Sequence, residues 1–158
     1  MKKLLNASSV LAIIAGLVLV AGGVWGIGFT YKNIKVENIT TPPDASMPGK
    51  QVVGPLTLKS QADVIRMHTL KTTGGKTYAE MPRQIEKLDE NGQPVLGTDG
   101  KAVMVPNTAR DIWITATTLT TALHLGILTY VFSALVILFG LISLWTGFIF
   151  CKLAKKQV

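Results

Sequence analysis

The sequence predicts an α-helical membrane protein: a two-helix transmembrane hairpin whose second helix extends outside the bilayer, joined to a small mixed α+β exported domain. Two uncharged stretches, 4–31 and 112–151, lie at opposite ends of the chain, and the outer end of each carries lysine. About 20 apolar residues cross a hydrocarbon core of roughly 30 Å, so each stretch is long enough for one span. The predicted order is a cytoplasmic N-terminus (1–6), a first span (7–31), an exported domain (32–111), a helix extension (112–124), a second span (125–150) and a basic cytoplasmic tail (151–158).

The first stretch is expected to stay in the protein as a helix. A signal-peptide core has about 7–15 apolar residues and ends at a small-residue cleavage site. Here the apolar run continues past Gly22 and Gly23 through Trp25 and Phe29. Its length therefore favours a retained span over a cleaved signal.

The charges predict the orientation of the two spans. Five of the 16 Lys and Arg residues lie at the tips, with no acidic residue beside them: Lys2, Lys3, Lys152, Lys155 and Lys156. The other 11 share residues 32–111 with all nine acids, which leaves the middle at only 11 − 9 = +2. Because cytoplasmic ends carry the excess of Lys and Arg, both termini are expected in the cytoplasm, at the plasma membrane. The expected counter-charge is anionic lipid at the inner leaflet, and no nucleic acid, since the basic residues are not clustered on one folded face.

Small residues recur at helical spacing on both spans. Steps of three and four residues select Ser9, Ala12, Gly16, Leu19, Gly23, Gly26 and Thr30 on the first, and Gly126, Thr129, Ser133, Val136, Gly140, Ser143 and Gly147 on the second, and only Leu19 and Val136 among them are bulky. Small residues let two helix backbones approach closely, which drives association in lipid. An antiparallel pair would join partners whose numbers sum to about 156, such as Ser9 with Gly147 and Thr30 with Gly126. A second small-residue face, at Gly22, Gly26 and Gly28, is expected to meet another protein.

The second uncharged stretch is longer than one span requires. Its 40 residues would reach about 60 Å as a helix, twice the thickness of the hydrocarbon core. The helix is therefore expected to begin outside the membrane at Ile112. Trp113 is expected at or above the outer headgroups and Trp145 near the inner boundary, as aromatic belts prefer.

The middle of the chain predicts short strands and one helix. Residues 33–39 alternate loosely, which favours a strand. Ser60 is a candidate N-cap for a helix over about 61–71, which Gly74 and Gly75 would end. Farther on, Asn91-Gly92 and Asp99-Gly100 are typical hairpin turns, and the second predicts a hairpin over about 93–105.

The chain resembles a family of small two-pass membrane proteins of actinobacteria. The resemblance runs from the first span to about Pro82 and, more weakly, through the last helix. It is carried by Glu37-Asn38-Ile39, Gly49-Lys50, Gly54-Pro55-Leu56-Thr57, Gln61-Ala62, Ile65, His68 and Thr73-Gly74-Gly75-Lys76-Thr77-Tyr78-Ala79-Glu80. Residues 84–106 are longer than the family pattern. The family has no well-established activity, and its members often carry the label of an aromatic ring-opening dioxygenase.

The residues argue against that label and against a bound cofactor. A non-haem iron oxygenase needs two histidines and a carboxylate on one face of the metal, whereas the only histidines, His68 and His124, have no His-x-Asp/Glu pairing. The sequence Gly75-Lys76-Thr77 matches the end of a phosphate-binding loop, but position 70, where that motif needs glycine, is Leu70. We expect no catalytic residue, no metal, no cofactor and no nucleotide. The single cysteine, Cys151, excludes a disulfide within one chain.

The leading prediction is a non-catalytic accessory or scaffolding subunit of a larger membrane or envelope complex, with other integral membrane proteins as partners. The kind of bacterium that the resemblance implies makes a respiratory-chain assembly a candidate host. Arg66, Lys76, Tyr78 and Arg83 are candidate contact residues, because Tyr and Arg favour interface hot spots; the alternative is a solvated surface. The second hypothesis is a binding or sensing module for envelope lipid or glycan, and an enzyme is third.

Overall fold

The computed structural model describes residues 1–156 and is mostly helical. Its elements are α1 (Lys2–Val36), α2 (Pro55–Thr72), β1 (Gln84–Glu86), β2 (Met104–Pro106) and α3 (Thr108–Lys156), with a 3-10 turn at Tyr78–Glu80. The helices α1 and α3 run antiparallel and pack along each other, and α2 packs on the N-terminal part of α3. By length and composition, α1 and α3 are apolar enough to cross a membrane.

Helix α1 extends beyond the predicted span at both ends. Its 35 residues measure about 52 Å at 1.5 Å per residue. The strand predicted over 33–39 is wrong, because the helix continues to Val36: the Asn33 side chain donates to the Phe29 carbonyl, and Ile34 packs against the core. The chain leaves the helix at Asn38, whose φ of 50° lies in the left-handed region.

Helix α2 begins six residues before the predicted start. Pro55 occupies its first turn, where the missing N–H costs nothing. The N-cap is Gly54 and not the predicted Ser60, and Thr57 Oγ1, inside the first turn, accepts from the N–H groups of Val53 and Gly54. Ser60 is instead buried inside α2, with its Oγ 2.9 Å from that of Ser46.

The C-terminus of α2 is closed by its glycine pair. The N–H of Gly75 donates to Leu70 O at 2.7 Å and that of Gly74 donates to Lys71 O, which is a Schellman motif. Both glycines have positive φ, +62° and +80°, and a side chain would strain either one.

The hairpin predicted over 93–105 is part of a larger ribbon. Met104–Pro106 (β2) pairs antiparallel with Gln84–Glu86 (β1), which the sequence did not suggest. The Asn91-Gly92 turn lies inside the Leu88–Pro94 bridge, and the Asp99-Gly100 turn lies inside the Leu96–Ala102 bridge. Turn residues specify these local reversals, whereas the β1–β2 pairing joins strands that 17 intervening residues separate. Residues 84–106, called the ribbon below, are almost entirely exposed or partly exposed.

Helix α3 begins at Thr108, four residues before the predicted start. Asn107 Oδ1 accepts from Ala109 N, and its Nδ2 donates to Pro82 O, so the cap also ties the helix to the preceding segment. The helix continues for 49 residues, about 74 Å, through the predicted extension, the predicted span and the tail up to Lys156. Residues 157–158 of the predicted tail lie outside the described part of the chain.

The apolar core joins all three helices. Val52, Leu58, Ala62 and Leu123 form it, and Ile34, Ile39, Ile65, Ile127 and Tyr130 pack around it. Leu123, Ile127 and Tyr130 belong to α3, so a fragment cut at about 32 and 110 would lose one side of this core. The second hypothesis, a binding or sensing module, implies that this fragment folds alone, and that implication conflicts with the packing, since a segment of this size has little other apolar surface to bury.

Candidate functional site: the helix seam and the outer segment

The two long helices meet along a line of small residues with a seven-residue period, called the seam below. Buried positions recur at this interval on both helices: Ser9, Gly16, Gly23 and Thr30 on α1, and Ser133, Gly140, Gly147 and Ala154 on α3. A strict seven-residue repeat keeps one face of each helix on its partner by left-handed supercoiling. Large apolar side chains on the other faces, such as Trp25 and Phe132, are mostly exposed.

Glycine is required at the centre of the seam. A Cβ added to Gly16 would lie 2.7 Å from Gly140 O, and one added to Gly140 would lie 2.9 Å from Gly16 O and from Val20 N. These are backbone atoms, which cannot rotate away as a side chain can. The two helices therefore touch backbone to backbone at this level.

Two interhelical hydrogen bonds lie beside the glycine contact. Ser9 Oγ donates to Gly147 O at 2.7 Å, and Ser143 Oγ donates to Ala12 O at 2.8 Å. Small hydroxyl side chains thus bridge the helices without separating them, as is typical of helix pairs in lipid.

The part of the seam nearer the C-terminus of α1 lies on the same face of that helix. A Cβ on Gly23 would lie 2.8 Å from Ser133 O, and one on Gly26 would lie 2.6 Å from Ser133 Oγ. Thr30 Oγ1 donates within α1 to Gly26 O at 2.8 Å.

A third helix contributes to the end of the seam near Gly126. An added Cβ on Gly126 would lie 3.3 Å from the side chain of Ile34 and 3.2 Å from that of Leu58. Leu58 comes from α2, so a third helix enters where the two long helices would otherwise continue alone. The sequence gives no local signal for this contact.

The predicted second face contains two open glycines. A Cβ on Gly22 or Gly28 would meet no atom within 4 Å, whereas Gly26 is occupied by the seam. Gly22 and Gly28 therefore lie on the part of α1 that the chain itself leaves uncovered.

The segment between α1 and α3, residues 37–107, is called the outer segment below after its predicted location, and aromatic side chains fix it to α3. Trp113 is 6% exposed, and its Nε1 donates to Lys76 O at 2.9 Å. Helix α2 and the loop after it cover the indole, so Trp113 packs inside the protein, and its place at or above the outer headgroups stays a prediction. Farther towards the C-terminus of α3, the Tyr130 hydroxyl donates to Val53 O at 2.6 Å.

The four candidate contact residues lie around this attachment. The guanidinium of Arg66 lies 5.7 Å from the Trp113 ring. Tyr78 is covered on one face by Arg110, whose guanidinium carbon lies 3.8 Å from the ring centroid. The side chains of Lys76 and Arg83 are exposed. Sequence reasoning missed Arg110, whose Nη1 also donates to Tyr78 O and Met81 O, because 32 residues separate Arg110 from Tyr78 in the chain.

The two histidines are far from forming a metal centre. His68 Nε2 lies 2.5 Å from Asp44 Oδ2, and this hydrogen bond holds the pKa of the Asp44 carboxyl below its usual 3.8. His124 lines a separate cavity of about 280 Å³ with Asp63 and Arg66. Within residues 1–156, no group of three or more His, Cys, Asp or Glu side chains could hold a metal ion.

A groove opens where α1, α2 and α3 meet, and sequence reasoning did not identify it. It encloses about 520 Å³ between apolar side chains that include Ile34, Ile65 and Leu119. Gln61 also lines it, and Gln61 Oε1 is the one buried side-chain N or O atom in the described chain without a hydrogen-bond partner.

Comparison with protein-family models, with curated proteins and with solved structures gives no match to this chain. The resemblance to small two-pass actinobacterial proteins therefore stays a prediction. The described residues form a closely packed helix pair, an outer segment fixed to that pair, and an exposed ribbon.

Proposed function

We propose that this protein is a non-catalytic accessory or scaffolding subunit of a larger membrane assembly. In this proposal α1 and α3 cross the plasma membrane as one hairpin, both termini lie in the cytoplasm, and residues 32–124 lie on the outer side. The lysines at both tips support this orientation, and anionic headgroups of the inner leaflet would neutralise them.

The observation that carries the proposal is the attachment of the outer segment to the hairpin. Trp113 and Tyr130 donate to backbone oxygens of the segment that precedes α3, and Arg110 donates to two more. Their partners lie 29 to 77 residues away along the chain. The outer segment is therefore held in one orientation relative to the two helices, as a scaffold requires and as a flexible tether would not provide.

The ribbon supplies surface for a partner at the end of this rigid support. Leu88 and Leu96 are 56% and 64% exposed, and Ile85 and Met104 are also exposed. Exposed apolar clusters commonly mark protein-protein contacts. The ribbon also carries both acidic and basic residues, which suits a partner that is itself a folded protein surface more than a nucleic acid.

The candidate host is a complex of integral membrane proteins, with a respiratory-chain assembly as the specific hypothesis. Within the membrane, the uncovered faces of α1 and α3 would meet the spans of the partner. No nucleotide or cofactor forms part of the proposal.

Affinity purification from native membranes in a mild detergent tests it. The full chain is expected to recover other integral membrane proteins, and native gels are expected to show a complex well above the 17.0 kDa monomer. Migration as a bare monomer with no co-purifying membrane protein would contradict the proposal.

A shortened ribbon tests the specific surface. Replacing residues 87–103 by Asn-Gly leaves Glu86 and Met104 paired across a two-residue turn, so β1 and β2 remain. This variant is expected to lose the partner while keeping the helix seam, and a seam crosslink reports the second condition. The matched control is Gln93→Ser, an exposed change within the ribbon that removes no apolar surface. Undiminished recovery of the partner by the shortened variant would place the contact elsewhere.

A further inference from the structure

A cavity between α2 and α3 is lined mostly by polar side chains. Asp63 and Arg66 line it from α2, and Thr117, Thr121 and His124 line it from α3. It encloses about 280 Å³, just below the roughly 300–1,000 Å³ of sites that hold whole drug-sized ligands. The cavity therefore suits one small polar group.

Arg66 brings to this cavity a positive charge that no carboxylate neutralises. Its guanidinium carbon lies 5.7 Å from the centroid of the Trp113 ring, and this contact with a buried indole helps to hold the guanidinium in place. Asp63 is the carboxylate closest to Arg66 in the sequence, but its Oδ2 lies 2.6 Å from Lys59 Nζ. Among residues 1–156, no ion pair and no hydrogen bond uses the Arg66 side chain, so its N–H groups are free for a ligand.

Two threonine hydroxyls of α3 are free in the same cavity. Thr118 and Thr120 donate to the carbonyl oxygens four residues earlier, as threonine in a helix commonly does. Thr120 also lines the cavity, and its hydroxyl proton is therefore already used. The hydroxyls of Thr117 and Thr121, one helical turn apart, make no hydrogen bond within the described part of the chain, so each can donate to a bound group.

The charges around the cavity favour an anion. Lys59 and Arg66 are positive and Asp63 is negative, so the three together carry 2 − 1 = +1, and the unpaired charge is that of Arg66. A cationic ligand would find the Asp63 carboxylate already paired with Lys59. A neutral polyol would leave the guanidinium without the charge-assisted hydrogen bonds that it makes best.

A tetrahedral oxyanion engages more of these donors than a planar one. The two oxygens of a carboxylate are engaged by the parallel N–H groups of one guanidinium. A phosphate group has further acceptor oxygens, which can accept from hydroxyls on the other wall. Arg66 lies on α2 and the two threonines lie on α3, so the donors come from both walls of the cavity.

We propose that this cavity binds a phosphate group, held by the Arg66 guanidinium from α2 and by the hydroxyls of Thr117 and Thr121 from α3. The cavity extends along α3 from Trp113 to His124, about 16 Å at 1.5 Å per residue. In the proposed orientation its His124 end adjoins the second span, so the phosphate comes from a lipid headgroup or from the outer solution. Binding of the group itself rests on neither the membrane orientation nor a protein partner.

Titration of the full chain with inorganic phosphate, in a maltoside detergent that contains no phosphate, tests the site. Trp25→Phe and Trp145→Phe leave Trp113, which contacts Arg66, as the single fluorescent tryptophan. Phosphate is expected to change the Trp113 fluorescence saturably, whereas chloride at equal ionic strength is not. Acetate, which is planar, is expected to bind at least about tenfold more weakly. Equilibrium dialysis with labelled phosphate measures the binding directly and is expected to give one phosphate per chain.

Substitutions test the proposed donors. Arg66→Gln is expected to weaken phosphate binding at least about tenfold, because it removes charge-assisted hydrogen bonds. Thr117→Val and Thr121→Val keep the shape of the side chain and are each expected to weaken binding about threefold to tenfold. The matched controls are Arg83→Gln, at an exposed cation that does not line the cavity, and Thr118→Val, at a hydroxyl that donates within α3. Both controls are expected to leave binding unchanged.

A lipid pair distinguishes the two sources of the phosphate group. Phosphatidic acid and diacylglycerol with the same acyl chains differ by one phosphate, and each is added to the same micelles. If phosphatidic acid blocks the binding of inorganic phosphate and diacylglycerol does not, the source is a lipid headgroup. If phosphatidic acid leaves that binding intact, the source is soluble phosphate. Either result supports the phosphate site.

Absence of saturable binding, by fluorescence and by dialysis, of both inorganic phosphate and phosphatidic acid would overturn the proposal. So would equal affinity for acetate, or phosphate binding that survives both Arg66→Gln and the double variant Thr117→Val, Thr121→Val. A seam crosslink in each variant verifies that the hairpin still forms. Loss of the protein partner would leave all these outcomes unaffected.

Discussion

Replacing Gly16 by alanine is expected to open the seam, whereas the same replacement at Gly22 is not. The two residues lie in the same helix, but Gly16 is buried on Gly140 and Gly22 has no atom within 4 Å of an added Cβ. Alanine raises helix propensity by up to about 1 kcal/mol relative to glycine at either position, so this gain cancels in the comparison. The difference between the two variants isolates the contact.

The structure gives the size of the effect. The added Cβ of Gly16 would lie 2.7 Å from Gly140 O, and ordinary contact begins at 3.4 Å, so the backbones must separate by about 0.7 Å. A gap of this size removes about a quarter to a half of the dispersion energy of each contact along it. It would also lengthen the Ser9–Gly147 and Ser143–Ala12 bonds from 2.7 and 2.8 Å towards the limit of a hydrogen bond.

Overpacking of a close interface costs about 1–3 kcal/mol, and we expect Gly16→Ala to be less stable than Gly22→Ala by that amount. A difference of this size is about 5- to 150-fold in the unfolding equilibrium. Steric trapping in bicelles measures the unfolding free energy of both variants directly. Equal stabilities, or a less stable Gly22→Ala, would refute the seam as the contact that holds the helices together.

Three further outcomes are expected. Cysteines at Ala12 and Ser143, in a background without the native cysteine, are expected to crosslink much faster than cysteines moved one position along both helices, because the Ser143 hydroxyl already reaches the Ala12 carbonyl; equal rates would contradict the register. Trp113→Phe removes the indole N–H from a buried carbonyl and is expected to cost about 1–3 kcal/mol, visible as faster trypsin cleavage in the loop after α2, and unchanged cleavage would mean that the indole does not fix that loop. The hydrogen bond from His68 lowers the pKa of Asp44 in the folded chain. The stability that the ionised Asp44 carboxyl contributes is therefore complete above the unfolded-state pKa near 3.8 and is lost as the pH falls through the lower folded-state pKa. Thermal melts at pH 2 to 6 are expected to show a smaller loss of stability on acidification for Asp44→Asn than for the wild-type chain.

The seam shows which helix contacts a periodic pattern in the sequence can predict. Most of the small residues that recur in the sequence lie at the helix contact, and Ser9 with Gly147 and Gly16 with Gly140 are neighbours there, whereas Thr129 is exposed. A seven-residue repeat is a property of one helix and can be identified without knowing its partner. The contact of Gly126 with Leu58 could not be identified in this way, because Leu58 belongs to a helix whose position depends on the whole fold.

The outer segment shows where local signals fail. A helix from Gln61 was expected, but Pro55 and Thr57 start it earlier, because a proline in the first turn and a threonine that caps the preceding N–H groups outweigh one serine. The Asn-Gly and Asp-Gly turns mark real reversals, but they do not specify that β2 pairs with β1. Trp113 looks like an interfacial residue in sequence and is buried in the structure, because α2 packs over it.

By itself, the sequence determined that the chain has two long apolar helices, that their tips are basic, and which small residues could let them approach, because hydropathy, charge and helical period are properties of consecutive residues. Only the tertiary structure decided that α2 joins the end of the seam, that Arg110, Trp113 and Tyr130 fix the outer segment to α3, and that Arg66 and His124 border one cavity. These contacts connect residues far apart in the chain, and their geometry follows from the packing of three helices around one small core, which no local pattern encodes.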